Sequence, residues 1–172
     1  MKKIILLSLL IGAAAYPQGT NIISNPNPVA GGQFNQLWLT DLKLTLPSAT
    51  VPGTLTCNWA ASDGTNVLSQ PVLTYSVQSV AAVTNTPAIA SLLLMLQSGL
   101  NQAAGKSNIG LTYVIIRAPY GNDKVRLDVM FADGLMWNCD DCKQKMQTDA
   151  SFCGFFSNLL LALAKLSGLP QP

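Results

Sequence analysis

Four cysteines, Cys57, Cys139, Cys142 and Cys153, are the residues of this sequence whose type and spacing could carry chemistry. Thiols pair as disulfides, attack as thiolates, or bind soft metals. The even count, together with the leader described below, predicts structural disulfides, one of them tying Cys57 to the C-terminal cluster of Cys139, Cys142 and Cys153. The pairing itself stays open, since four cysteines allow three connectivities. A bridge from Cys57 closes a loop of about 80 to 100 residues, which stabilises by about 4 kcal/mol in the chain-entropy model. Other reactive groups are scarce. The chain has no His, and its eight acids are all Asp. His is the usual mover of protons at neutral pH and a frequent ligand of catalytic zinc. The composition therefore points away from an enzyme, and no catalytic residue, metal ligand or cofactor site is predicted.

Two smaller constellations stand against that background. The run Trp137-Asn138-Cys139-Asp140-Asp141-Cys142-Lys143 resembles the WCxxCK site of the thioredoxin family, which implies thiol–disulfide exchange at Cys139 and Cys142. It departs from that site in the extra Asn138 after Trp137 and in its two central aspartates. Negative charge beside a thiol raises its pKa and removes thiolate. No βαβ unit precedes the run. Asp140 and Asp141, with Asp133 and Asp149 nearby, offer the oxygen ligands that Ca²⁺ prefers. Their spacing matches no EF-hand loop, so they read as a solvated acidic segment.

The first fifteen residues read as a secretory signal peptide: Lys2 and Lys3, the apolar run Ile4 to Ile11, and Ala13-Ala14-Ala15 before a cleavage point ahead of Tyr16. The apolar stretch is shorter than the roughly 20 residues that span a bilayer. The expected location is secreted, periplasmic or cell-surface, where disulfides persist. Loss of Lys2 and Lys3 leaves eight basic residues against eight acids, a net charge of zero. Such a surface has no general attraction for nucleic acid or anionic membranes, and little self-repulsion.

Residues 16–35 form a Pro/Asn/Gly-rich extended arm, with Asn25-Pro26-Asn27-Pro28 and Gly31-Gly32. A sharper reading lets Ile22 and Ile23 dock the arm on a neighbouring subunit's sheet edge. Residues 36–168 form one α+β domain, followed by a short tail, 169–172. Alternation predicts a strand over Gln36–Leu46, with Trp38, Leu42, Leu44 and Leu46 on one face. Further strands are predicted over Thr54–Ala61, within Pro71–Val83, and in a hairpin of Leu111–Ala118 and Lys124–Ala132. Thr86-Pro87 starts a helix that runs to Ala104 before Gly105. Asp149 caps a second helix to Ser167, closed by Gly168. The order β-β-β-α-β-β-α predicts a largely antiparallel sheet of about five strands with two apolar helices on one face, stabilised by disulfides.

The last helix is apolar around most of its circumference. Its Phe152, Phe155, Phe156 and Leu160, together with Trp38, form the candidate interaction or apolar-ligand surface. Three functions follow. The leading one is a non-enzymatic secreted or envelope protein with a binding or self-assembly role, as a homo-oligomer or with an extracellular protein partner. The second is a carrier of an apolar small molecule or lipid. The third is a thiol–disulfide oxidoreductase using Cys139 and Cys142.

Overall fold

A computed structural model describes residues 22–29, 34–63, 71–118 and 124–169. The leader therefore lies outside the described residues, as does the end of the C-terminal tail. The fold is α+β. Among the described residues seven strands form one sheet: β1 (Ile22–Val29), β2 (Phe34–Thr45), β3 (Thr54–Ser62), β4 (Leu73–Val77), β5 (Leu111–Arg117), β6 (Arg126–Phe131) and β7 (Met136–Cys139). Four helices of the described residues accompany them: α1 (Val80–Val83), α2 (Pro87–Ala103), α3 (Cys142–Thr148) and α4 (Ala150–Leu166).

Two three-stranded meanders, β2-β3-β4 and β5-β6-β7, lie side by side through an antiparallel β2–β5 pairing, giving the order β4-β3-β2-β5-β6-β7. α2 makes the crossover between them. β1 pairs antiparallel with the N-terminal half of β2, Ile22 opposite Trp38 and Ile23 opposite Leu37. Part of the expected arm is therefore a strand, docked on this chain's own sheet. Its register shifts between Ser24 and Val29, where Pro26 and Pro28 have no N–H to give a ladder, a defect tolerated at sheet edges and bulges.

The sheet buries one face. Leu42 and Leu44, Leu55 and Trp59, Val114 and Ile116, and Leu127, Val129 and Phe131 alternate inward along their strands and are buried. On α2, Ile89, Leu92, Leu96 and Leu100 recur at helical spacing and are buried with them. On α4, the buried residues include Phe152, Phe156, Leu159, Leu160 and Leu163. α2 ends at Gly105 and α4 at Gly168, both with positive φ, 65° and 72°, the left-handed conformation that closes a helix.

The predicted face of β2 needs one correction. The β2–β3 register shifts between Leu39 and Asp41, so Thr40 is an extra residue and the alternation changes phase there. Leu37 and Leu39 join Leu42 and Leu44 on the core side, while Trp38, opposite Ala60, goes to the other side with Asp41 and Lys43. Thr40 is held by its carbonyl, which accepts from Ala118 N at 2.8 Å, and by its hydroxyl, which donates to Asn58 O at 3.2 Å. The count of about five strands is also corrected to seven, because β1 and the four-residue β7 were not anticipated.

Candidate functional site

The sheet places Cys57 and Cys139 on one row. Cys57 faces Leu42, Leu42 faces Ile116, Ile116 faces Leu127, and Leu127 faces Cys139. Four strand spacings of about 4.8 Å separate them, against a Cα separation of under about 7 Å that a disulfide requires. Cys153 lies no closer. Cys57 sits beside the Ser167 side chain, at the far end of α4 from Cys153, and a helix rises about 1.5 Å per residue. No pair of cysteines is bonded, and all four are buried thiols. The expected staple from Cys57 to the C-terminal cluster is thus overturned by topology. Burial pushes the Cys57 thiol up to about 12, with the Ser167 side chain offsetting part of the effect. A thiol so protonated is inert packing.

Cys139 and Cys142 are different. Cys139 ends β7, with its side chain on the core row. Two residues later Asp141 caps α3, its carboxylate accepting from Gln144 N at 3.3 Å. The turn brings the Cys142 thiol to 3.5 Å from the Cys139 carbonyl oxygen. The Cys142 backbone N–H donates to Val125 O at 2.8 Å, which fixes the start of α3 against β6. The hydrogen bond from the Cys142 thiol, joined by the Asp141 N–H and the Lys145 charge, lowers the Cys139 pKa against burial and the Asp141 carboxylate. Cys142 is driven up by the same hydrogen bond, then by burial and neighbouring negative charge. The Asp141 carboxylate disfavours thiolate as expected, but the hydrogen bond from Cys142 outweighs it at Cys139.

The remaining predicted site residues lie inside. Trp38, Phe152, Phe155, Phe156 and Leu160 are all buried, with Phe152 and Phe155 in the wall of a groove between α2 and α4. Trp38 donates from its indole to Ala118 O at 3.2 Å and lies under Lys143, whose ammonium is 4.8 Å from the ring centroid. Phe152 packs against Phe155, Phe156 and Trp137 with ring centroids 5.9, 6.3 and 6.3 Å away. Surface grooves among the described residues include ones of about 460, 210 and 490 Å³. They lie along α2 or between it and α4, and all have polar side chains in their walls.

The acids are dispersed into local roles. Asp149 accepts from Phe152 N at 3.0 Å at the start of α4 and from Lys145 Nζ at 3.2 Å. Asp133 pairs with Lys106 at 2.6 Å and accepts from Leu135 N at 3.0 Å. Among the described residues no three acids or cysteines converge as a metal-holding group. One residue the sequence reading passed over is Asn101, buried on α2. Its amide accepts from Ile109 N and donates to Ile109 O and Gln97 O, each at 2.8 Å.

The face of the sheet opposite the helices carries the other concentration of function-capable groups. Register aligns Thr45, Tyr113, Met130 and Met136 in one row and Lys43, Ile115, Asp128 and Asn138 in the next. In a third row Thr74 Oγ1 donates to Asn58 Oδ1 at 2.7 Å, and Asn58 Nδ2 donates to Asp41 Oδ2 at 2.8 Å. Arg117 pairs with Asp128 at 2.9 Å. None of these residues is buried. Met136 is 56% exposed, and Leu135 beside it 59%. No helix of the described residues is long and apolar enough to cross a membrane. Comparison of the chain with family models, curated proteins and solved structures finds no match.

Proposed function

We propose that this chain is a secreted or envelope-associated, non-enzymatic protein that works by self-assembly through the uncovered face of its sheet. The observation that carries the reading is the cluster of Tyr113, Ile115, Met130 and Met136 on that face, contiguous through the pairing of β2, β5, β6 and β7 and none of them buried. Apolar residues at the centre and polar groups around them are the composition of an interface. Here the rim is the Thr74–Asn58–Asp41 chain and the Arg117–Asp128 pair. With leader removal the net charge falls to zero, so little long-range repulsion opposes contact between copies. Scarcity of catalytic side chains favours binding over turnover.

Sedimentation velocity of the exported chain across a concentration series tests the proposal. The expected result is a sedimentation coefficient that rises with concentration and stays at the monomer value in Ile115→Lys and Met136→Lys. Both positions lie outside the core, so the variants should keep the far-UV circular dichroism of the parent. A monomer at every concentration, unaffected by either substitution, overturns self-assembly. Intact mass of the same material reads whether the chain begins at Tyr16, as the export part requires.

A further inference from the structure

Cys139 and Cys142 differ from the other two cysteines in geometry. The Cys142 thiol lies 3.5 Å from the Cys139 carbonyl oxygen, and the two residues belong to different elements, the end of β7 and the first residue of α3. Within the pair, Cys142 is fully enclosed, whereas Cys139 keeps 9% of its surface exposed. Of the two residues, Cys139 is therefore the one with surface open to a reagent from solvent. We infer that Cys139 and Cys142 are a redox modification site: Cys139 exchanges with a low-molecular-weight disulfide, and Cys142 then closes an intramolecular bond that latches β7 to α3. The inference does not rest on the assembly reading, which concerns the opposite face.

The chemistry balances with that disulfide as oxidant. The Cys139 thiolate attacks one sulfur of the small disulfide, whose S–S bond breaks, and one thiolate leaves and takes up a proton. Cys142 then attacks the Cys139 sulfur and breaks the mixed bond. Its proton passes to the second departing thiolate. Two protein thiols are oxidised, and one disulfide is reduced to two thiols. The polarisation of the pair supports this order, since the hydrogen bond from Cys142 favours thiolate at Cys139 and holds Cys142 protonated until Cys139 is consumed. The latch has a structural consequence. α3 is anchored by the Cys142 N–H on Val125 O, by buried Met146 and by Lys143 over Trp38. A covalent link at its first residue removes the opening motions that start there.

The test treats the full reduced chain with glutathione disulfide, quenches in acid, alkylates the free thiols and reads each cysteine by peptide mass spectrometry. The peptide holding both residues should lose the mass of two hydrogens, while Cys57 and Cys153 remain alkylatable after unfolding. Cys142→Ser should retain one glutathione on Cys139 in most molecules, and Cys139→Ser should leave Cys142 largely unmodified. Hydrogen exchange at the α3 amides should slow on oxidation and recover on reduction. The wild-type measurement stands even if a variant folds poorly. Two glutathiones on the pair, a bridge to Cys153, trapping at Cys142 instead of Cys139, or unchanged α3 exchange on oxidation overturns the inference.

Discussion

Asp149 does two jobs with one carboxylate. It accepts the N–H of Phe152, an otherwise unpartnered donor in the first turn of α4, and it holds the Lys145 ammonium from the preceding helix. The backbone hydrogen bond and then Lys145 hold its carboxyl below the ordinary 3.8. Asp133 is lowered likewise, first by Lys106 and then by the Leu135 N–H. A carboxyl whose pKa is lower folded than unfolded binds fewer protons in the fold. Its contribution is complete above the unfolded value and is lost as pH falls through the folded one. Thermal unfolding followed by circular dichroism should therefore show Tm falling once pH drops below about 4. Asp149→Asn, which keeps an acceptor but no charge, should lose less Tm at neutral pH than Asp149→Ala and should flatten part of the acid limb. Acid limbs that coincide in all three proteins would remove Asp149 from the account. This residue was legible in the sequence because a cap, an apolar helix and a closing glycine follow in order. Asn101 was not. A mid-helix Asn reads as an exposed polar residue until the loop to Ile109 is seen folding back onto it.

α2 and α4 meet where Gly99 faces Phe155. A Cβ on Gly99 would overlap the Phe155 ring, lying 2.7 Å from its Cγ. That carbon is fixed near the backbone and cannot swing away as the end of a long side chain could. Alanine gains up to about 1 kcal/mol over glycine in a helix interior, but forcing an extra methyl into a filled contact costs about 1–3 kcal/mol. The steric term should win. Gly99→Ala is expected to lower Tm by several degrees, and the same substitution in a Phe155→Leu background should cost less or stabilise. Additive effects in that double-mutant cycle would mean the two residues do not share the contact. The contact itself was invisible in the sequence, which identified both helices but not which faces they turn to each other. β2, β3, β5 and β6 were readable from alternation. β7 and α3, four and seven residues long, are too short to display a period. β1 was hidden by its prolines. Thr40 shows a subtler limit. One inserted residue sends Trp38 across the sheet, and no pattern of apolar letters distinguishes a bulge from an uninterrupted strand.

For the molecule as a whole, the decisive question is whether stability is covalent or comes from packing. Cysteine count and spacing predict a large share for sulfur, with a long bridge from Cys57 stabilising by about 4 kcal/mol, out of a typical total of about 5–15 kcal/mol. The sheet instead holds Cys57 four strands away from Cys139, in a core that runs from Leu55 and Trp59 through Leu42, Val114 and Ile116 to Leu127 and Phe131. Trp59 reaches across that core to the end of α4, its indole donating to Ser167 Oγ at 3.0 Å, so a noncovalent contact joins β3 to the C-terminal helix where a bridge was expected. Denaturant unfolding in excess reductant should accordingly remain a single cooperative transition. Cys57→Ala should cost about 1–2 kcal/mol, the scale of a small buried side chain, and by the same amount with or without reductant. A bond at Cys139–Cys142 closes only a short loop and does not alter that comparison at Cys57. A loss near 4 kcal/mol that appears on reduction of the parent and is absent from Cys57→Ala would restore the long bridge, because only a bond ending at Cys57 can be both broken by reductant and missing from that variant.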